Sequence, residues 1–123
     1  MKTTLLIDAR NVLRSEWPNI PEDELVVLCS AWAEARGHRA IVVFDREAPG
    51  GFVGVREFSS SCSVVGTGAE LADEWIVRAA EEFAAARRRY WLVTSDRALR
   101  AAADATAERT IGGGSFAREL RGG

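Results

Sequence analysis

The chain predicts an α/β fold in which a mainly parallel sheet lies between two helical layers, a three-layer α/β/α sandwich, and three features point to it. Short unbroken apolar runs recur as LLID, VVFD and WLVTSD, each closing on an aspartate: Asp8, Asp45 and Asp96. Strands buried on both faces read as continuous apolar stretches of this kind. The runs alternate with segments of helical period, an order that favours parallel pairing through crossover helices. Finally, the 123 residues hold no repeat, no low-complexity tract and no linker, so one domain over residues 1–123 is expected, long enough to bury a genuine core.

Thr3 to Asp8 reads as the first strand. Asn11 to Asn19, carrying Trp17 and Pro18, reads as an irregular connection or short helix, and Pro21 marks a turn. From Glu22 to Arg36 the apolar positions Leu25, Val26, Leu28, Cys29, Trp32 and Ala33 recur at helical spacing, with three acids at the positive end and Gly37 as the C-cap. Arg39 to Asp45 is the second strand. Glu47 to Gly54, with Pro49, Gly50 and Gly51, reads as a flexible loop whose tip can reach substrate. Val55 to Val65 alternates less cleanly and allows one strand or two short pieces at an edge. Glu70 to Arg89 is the longest helix, its Leu71, Trp75, Ile76, Ala79, Ala80 and Phe83 forming a stripe against the sheet and Arg87 to Arg89 closing its far end. Tyr90 to Thr94 is a strand, Asp96 to Ala105 a helix, and Glu108 to Ile111 a short strand. Ser115 to Arg121 forms a last helix entered through Gly112, Gly113 and Gly114.

Sixteen basic and eighteen acidic residues give a net charge of −2, which excludes a generic polyanion binder and makes any nucleic-acid surface local. Lys2 is the only lysine, and arginine's planar fork suits phosphate oxygens. Cys29 and Cys62 lie far apart without CxxC spacing, which excludes a zinc module and leaves two buried thiols. The chain opens on a strand without a charged-then-apolar leader, and no apolar run approaches the ~18 residues of a membrane span. A soluble cytoplasmic protein is expected.

Open α/β sheets place their chemistry beyond the carboxyl ends of the strands, so Asp8, Asp45 and Asp96 are expected on one rim. The segment ELADE brings Glu70, Asp73 and Glu74 to the first turn of the long helix at that same edge. Two like charges repel by about 4 kcal/mol at 4 Å and an effective dielectric of 20, so such a cluster calls for a divalent cation or shared protons. Carboxylates and water suit Mg2+ or Mn2+, and an ion so held can activate water for phosphodiester hydrolysis. Each acid also has a plain structural use, since helix N-termini favour acids and Asp96 can cap the helix it precedes. Asn11 can contact a metal-bound water or close its turn with the amide. Thr94 and Ser95 can fix a carboxylate or phosphate, or cap. Arg10, Arg14, Arg46 and Arg97 flank the acids, where they can draw a phosphate backbone or form salt bridges. Trp32, Trp75 and Trp91 lie on apolar faces. Trp17 is expected to pack as well, with stacking on a base as its alternative. His38, the single histidine, precedes the second strand at the opposite end from the acids, which speaks against a Ser/His/Asp triad.

The motifs LLIDARN, VVFD, VVGTGAELADEWI and LVTSD, in that order, resemble the NYN branch of the PIN-like ribonucleases, most closely the YacP-like group. The resemblance covers nearly the whole chain and includes SFAREL, similar to the helix that closes YacP-like domains. It implies the PIN-like (NYN) fold and a Mg2+- or Mn2+-dependent endoribonuclease acting on single-stranded RNA. Asp8, Asp73 and Asp96 would be its catalytic, metal-binding acids, Asn11 would support them, and Asp45 and Glu70 would be further acids of the metal rim. Ala9 stands where family members carry glycine. That departure leaves open a second reading, a non-catalytic PIN-like module that binds RNA or a protein partner, a second copy of the chain included. Phosphoryl transfer through an aspartyl intermediate fits poorly, because Arg10 stands where a second acid is needed and no lysine lies late in the chain.

Overall fold

The computed structural model describes residues 2–122; the two outermost positions of the domain expected over 1–123 lie outside the described residues. Strands β1 (Thr4–Asp8), β2 (Arg39–Phe44), β4 (Cys62–Gly66), β5 (Tyr90–Val93) and β6 (Arg109–Ile111) run parallel, and β3 (Gly54–Ser59) joins β4 antiparallel at one edge. The order is β3-β4-β2-β1-β5-β6. The segment from Val55 to Val65 is therefore two strands, the first of them an edge, with a register shift between Glu57 and Ser59.

Alternation along each strand divides the core. Leu5 and Ile7 of β1, with Ala40, Val42 and Phe44 of β2, face helices α1 (Ala9–Arg14), α2 (Glu22–Arg36) and α5 (Gly113–Leu120). Leu6 and Val43 face α3 (Ala72–Ala85) and α4 (Arg97–Ala103), where Ile76 and Leu99 meet them. The central strands are apolar through Leu5–Ile7, Ala40–Phe44 and Tyr90–Val93 because both faces are covered, whereas the edge strand β3 is exposed and carries Arg56 and Glu57; each fully buried Leu or Ile contributes roughly 1.5–3 kcal/mol. The helical layers thus leave only the strand ends for polar chemistry. From β1 the chain builds outward through β2 to β4, then α3 carries it back to β5 on the other side of β1. The sheet reverses its order of growth between β1 and β5, and such a switch point opens a crevice at the strands' carboxyl ends.

Several boundaries differ from expectation for local reasons. The first helix begins at Ala9, directly after β1, and ends at Arg14, so residues 15–19 form a loop. Ala9 is fully buried in the core and is not among the residues lining the cleft described below. The longest helix expected, Glu70 to Arg89, is trimmed at both ends to Ala72–Ala85. At its far end Arg87 takes a left-handed φ of 55°, and the Arg88 N–H donates to the Phe83 carbonyl at 2.8 Å, closing the helix before Arg88 and Arg89. The last helix starts two residues early, at Gly113. The loop from Glu47 to Gly54 folds into a tight turn held by Ala48 N to Phe52 O at 3.0 Å, and Pro49 and Gly50 line a groove beside β3 instead of reaching the acidic rim.

At the amino ends of the strands His38 packs between Trp32 and Trp91, with ring centroids 5.7 and 4.8 Å away. Cys29 and Cys62 are buried free thiols, and burial holds the first well above the ordinary thiol range and pushes the second up to about 11, which makes both poor nucleophiles. Trp17 does not pack: it is 84% exposed. Among the described residues no helix is long and apolar enough to cross a membrane.

Candidate active site

Asp8 ends β1 and caps α1, its Oδ1 accepting from the Asn11 N–H at 3.5 Å. Its Oδ2 accepts from the buried Thr94 hydroxyl at 3.0 Å, and Thr94 Oγ1 in turn accepts from the Asp96 N–H at 3.1 Å. One hydroxyl therefore ties together two acids that lie on adjacent parallel strand ends. Asp96 caps α4 through Leu99 N at 2.9 Å. Asp45, just past β2, reaches across to α3, where its Oδ1 accepts from Ala72 N at 2.8 Å, while its Oδ2 faces Arg10 Nη1 at 3.7 Å. Asp73 is the next residue along α3 and is exposed.

These four acids line a single cleft of about 440 Å3 together with Arg10, Asn11 and Arg14. Burial, first of all, lifts the Asp8 carboxyl above the ordinary carboxylate range; hydrogen bonds from Thr94 and Asn11 pull it down, and the charges of Asp45 and Asp96 push it up again. The like charges are partly offset by the backbone N–H groups that α1, α3 and α4 aim at them. Arg10 supplies a further counter-charge, half exposed and therefore screened.

The donor set is made of hard oxygens, with no histidine or cysteine. Among the described residues no three of these side chains come close enough to form a ready-made cation cage. Mg2+ needs no such cage: it is commonly held by one or two carboxylates and completes its shell with water and substrate phosphate oxygens, so the chemistry of the cleft fits such an ion.

Other expected residues have different places. Glu70 precedes α3 instead of opening it, and its carboxylate is gripped on both oxygens by the Arg78 guanidinium, Nη2 to Oε2 at 2.9 Å, a pairing that holds its carboxyl below the usual range. It borders a neighbouring groove, beside Arg46, and not the acidic cleft. Ser95 is committed to structure: its N–H donates to Asn11 Oδ1 at 2.9 Å and its Oγ accepts from Gly113 N at 2.8 Å. A Cβ at Gly113 would collide with the Asn11 amide, so this clamp between α1, the β5 end and α5 requires glycine there. The Asn11 amide therefore does not close its own turn: it ties α1 to the residue after β5, and Asn11 also lines the cleft. Arg97 starts α4 and does not line the cleft, whereas Arg46 borders the adjoining grooves, held in a left-handed conformation with φ 63°.

Sequence reasoning missed Arg78 and the start of α3. The signal for the latter was present. Leu71 occupies the N-cap, where its side chain can accept nothing; the Leu71 N–H donates to Glu74 Oε1 at 3.1 Å, and the Ala72 N–H needs an acceptor from elsewhere in the fold.

Comparison with known families matches residues 5–121 to the YacP-like NYN domain. Two solved structures superimpose well: Rae1 (YacP) from Bacillus subtilis, with TM-score 0.71 and 23% identity over 99% of this chain and 75% of that one, and a tryptophan-to-leucine mutant of the same protein, with TM-score 0.73 and 22% identity over 99% and 76%. At that identity the likeness establishes the fold. No curated protein matches the chain.

Proposed function

Because the chain belongs to the YacP-like NYN domain family, a branch of the PIN-like ribonucleases whose members generally use divalent metals, we propose that it is an endoribonuclease that cleaves single-stranded RNA with Mg2+ or Mn2+. The observation that carries this reading is the convergence of Asp8, Asp45, Asp73 and Asp96 on one open cleft at the sheet's switch point, with Arg10 and Arg14 at its margin.

Asp8, Asp73 and Asp96 would hold the ion, with Asp45 beside them; Glu70, occupied by Arg78, is the acid least able to take part. When bound, the cation supplies positive charge to the scissile phosphate and makes the attacking water more acidic. The chain's own contribution is placement. Thr94 fixes the spacing of Asp8 and Asp96, and the caps on α1 and α4 lock both carboxylates in orientation, which leaves little to reorganise when substrate arrives. Arg10 and Arg14 would meet phosphate oxygens, Arg10 exchanging its contact with Asp45 for the substrate.

Asp73→Asn tests the assignment directly, since Asp73 is exposed and its loss disturbs no packing. Cleavage of a single-stranded RNA in Mn2+ should fall to background while the circular dichroism spectrum is kept; full metal-dependent activity in the variant would remove Asp73 from the site. A second reading, a binding module without catalysis, draws on the fact that Asp8, Asp45 and Asp96 already serve as helix caps. Calorimetric titration with Mn2+ separates the two, because a pure binding module has no need to take up the ion.

A further inference from the structure

Trp17 is the most exposed of the large apolar side chains among the described residues. An exposed indole on a mobile loop would carry little meaning, but this loop is braced. Ser15 Oγ donates to the Val12 carbonyl at 2.7 Å and Arg118 Nη1 to Glu16 Oε1 at 2.7 Å, while Arg121 holds the Pro18 carbonyl. With its NH2 turned toward the chain, the Asn19 amide would also donate to the carbonyls of Glu16 at 2.9 Å and Leu13 at 3.1 Å. These contacts tie the loop to α1 and α5, and a tethered loop loses less conformational freedom when a projecting aromatic binds.

Both ends of this loop line a groove of about 780 Å3, Arg14 before the loop and Asn19 and Ile20 at its end, with Phe44 also in the lining. Trp17 is not among the residues that line the groove; chain geometry keeps its Cα within about 7 Å of the Asn19 Cα, beside the groove's edge. The groove shares Arg10, Arg14 and Asp45 with the acidic cleft, so the two form one continuous depression. Arg14 and Arg46, which border it, make no ion pair among the described residues and present free guanidinium groups. Guanidinium groups without a partner, apolar side chains such as Ile20 and Phe44 among the lining, and a projecting indole nearby match the two things a single strand of RNA offers, a phosphate chain and unstacked base faces, while Glu22 and Asp45 keep the groove from being a uniformly basic surface.

We propose that this groove receives the stretch of single-stranded RNA next to the scissile phosphate, with one base stacked on Trp17 and the backbone running over Arg14 and Arg10. The proposal rests on the nuclease reading above and adds a positioning surface to it: Trp17 sets how tightly substrate is held, and the acids set how fast it is cut.

The test is fluorescence anisotropy with an end-labelled oligoribonucleotide of about ten nucleotides, in EDTA so that nothing is cleaved. Trp17→Ala should weaken binding at least about fivefold, the low end for loss of one stacked base, while Trp17→Phe should restore most of it. The 84% exposure of Trp17 means that neither variant should disturb folding, and circular dichroism checks this. RNA should also quench the indole fluorescence of the wild-type protein more than that of Trp17→Phe. Tight wild-type binding that Trp17→Ala leaves unchanged overturns the proposal and spares the nuclease reading. Binding that depends on Trp17, without any cleavage when Mn2+ is added, sustains the surface and defeats the nuclease reading. Equal affinity for a fully paired duplex, whose bases are not open to stacking, also overturns the proposal.

Discussion

Three helices open on the acidic cleft, yet they are started in two different ways. The helices after β1 and β5 are capped by the aspartate immediately before them, Asp8 and Asp96, each bonding an N–H three residues on. The helix after β4 has Leu71 at that place and takes its acceptor from Asp45, 27 residues away. A local cap forms as soon as its own turn forms. The distant one exists only after β2 and β4 have paired, so it couples the start of α3 to sheet assembly. The difference shows how one rim of acids can serve two ends: Asp45 and Asp96 each give one oxygen to a helix start and Asp8 gives both of its oxygens to the scaffold, and substitutions can separate that duty from chemistry.

Asp8→Asn should sharpen the contrast most. The single asparagine oxygen can keep the cap on Asn11 N–H, while its NH2 takes the place of Oδ2 and turns the Thr94 hydroxyl from donor to acceptor, so the fold should survive. A steady-state assay on single-stranded RNA should record a loss of about a thousandfold, roughly 4 kcal/mol of barrier. Equal loss of activity and of melting temperature would mean that the carboxylate is structural only.

Asp45→Ala should have the next largest effect, and on stability. It leaves Ala72 N without its acceptor and should cost about 1 kcal/mol, read as a lower denaturation midpoint, whereas Asp45→Asn should recover most of it. If Asp45→Ala melts with the wild type, α3 does not depend on its borrowed cap.

The smallest effect is the pH dependence of Asp8. Its carboxyl is held above the ordinary value chiefly by burial, so the folded state binds that proton more tightly than the unfolded chain. Its stabilising contribution is complete below the unfolded pKa and is lost as pH rises through the folded one. The wild type should therefore close its stability gap to Asp8→Asn as pH falls through that window, measured by urea denaturation at several pH values. A gap independent of pH would show that the carboxylate carries no burial penalty.

The sequence was enough to locate the parallel strands and to pick out Asp8, Asp45 and Asp96 at their ends, since a strand covered on both faces must be apolar throughout and its first polar residue marks the exit from the core. It was enough, too, for the helix from Glu22 to Arg36 and its Gly37 cap, which takes the left-handed φ of 68° expected of glycine. Those features depend on residues within a turn or two of one another. What depends on distant partners became visible only in three dimensions: Glu70 removed from the acids by Arg78, Ser95 clamped between Asn11 and Gly113, and Trp17 turned outward although its type suggests burial. Local patterning dictates which backbone segments form and which faces they bury. The pairing of one segment's side chain with another's N–H, and the exposure of a loop residue, are settled by strand order and helix placement, which bring together groups that the linear chain keeps far apart.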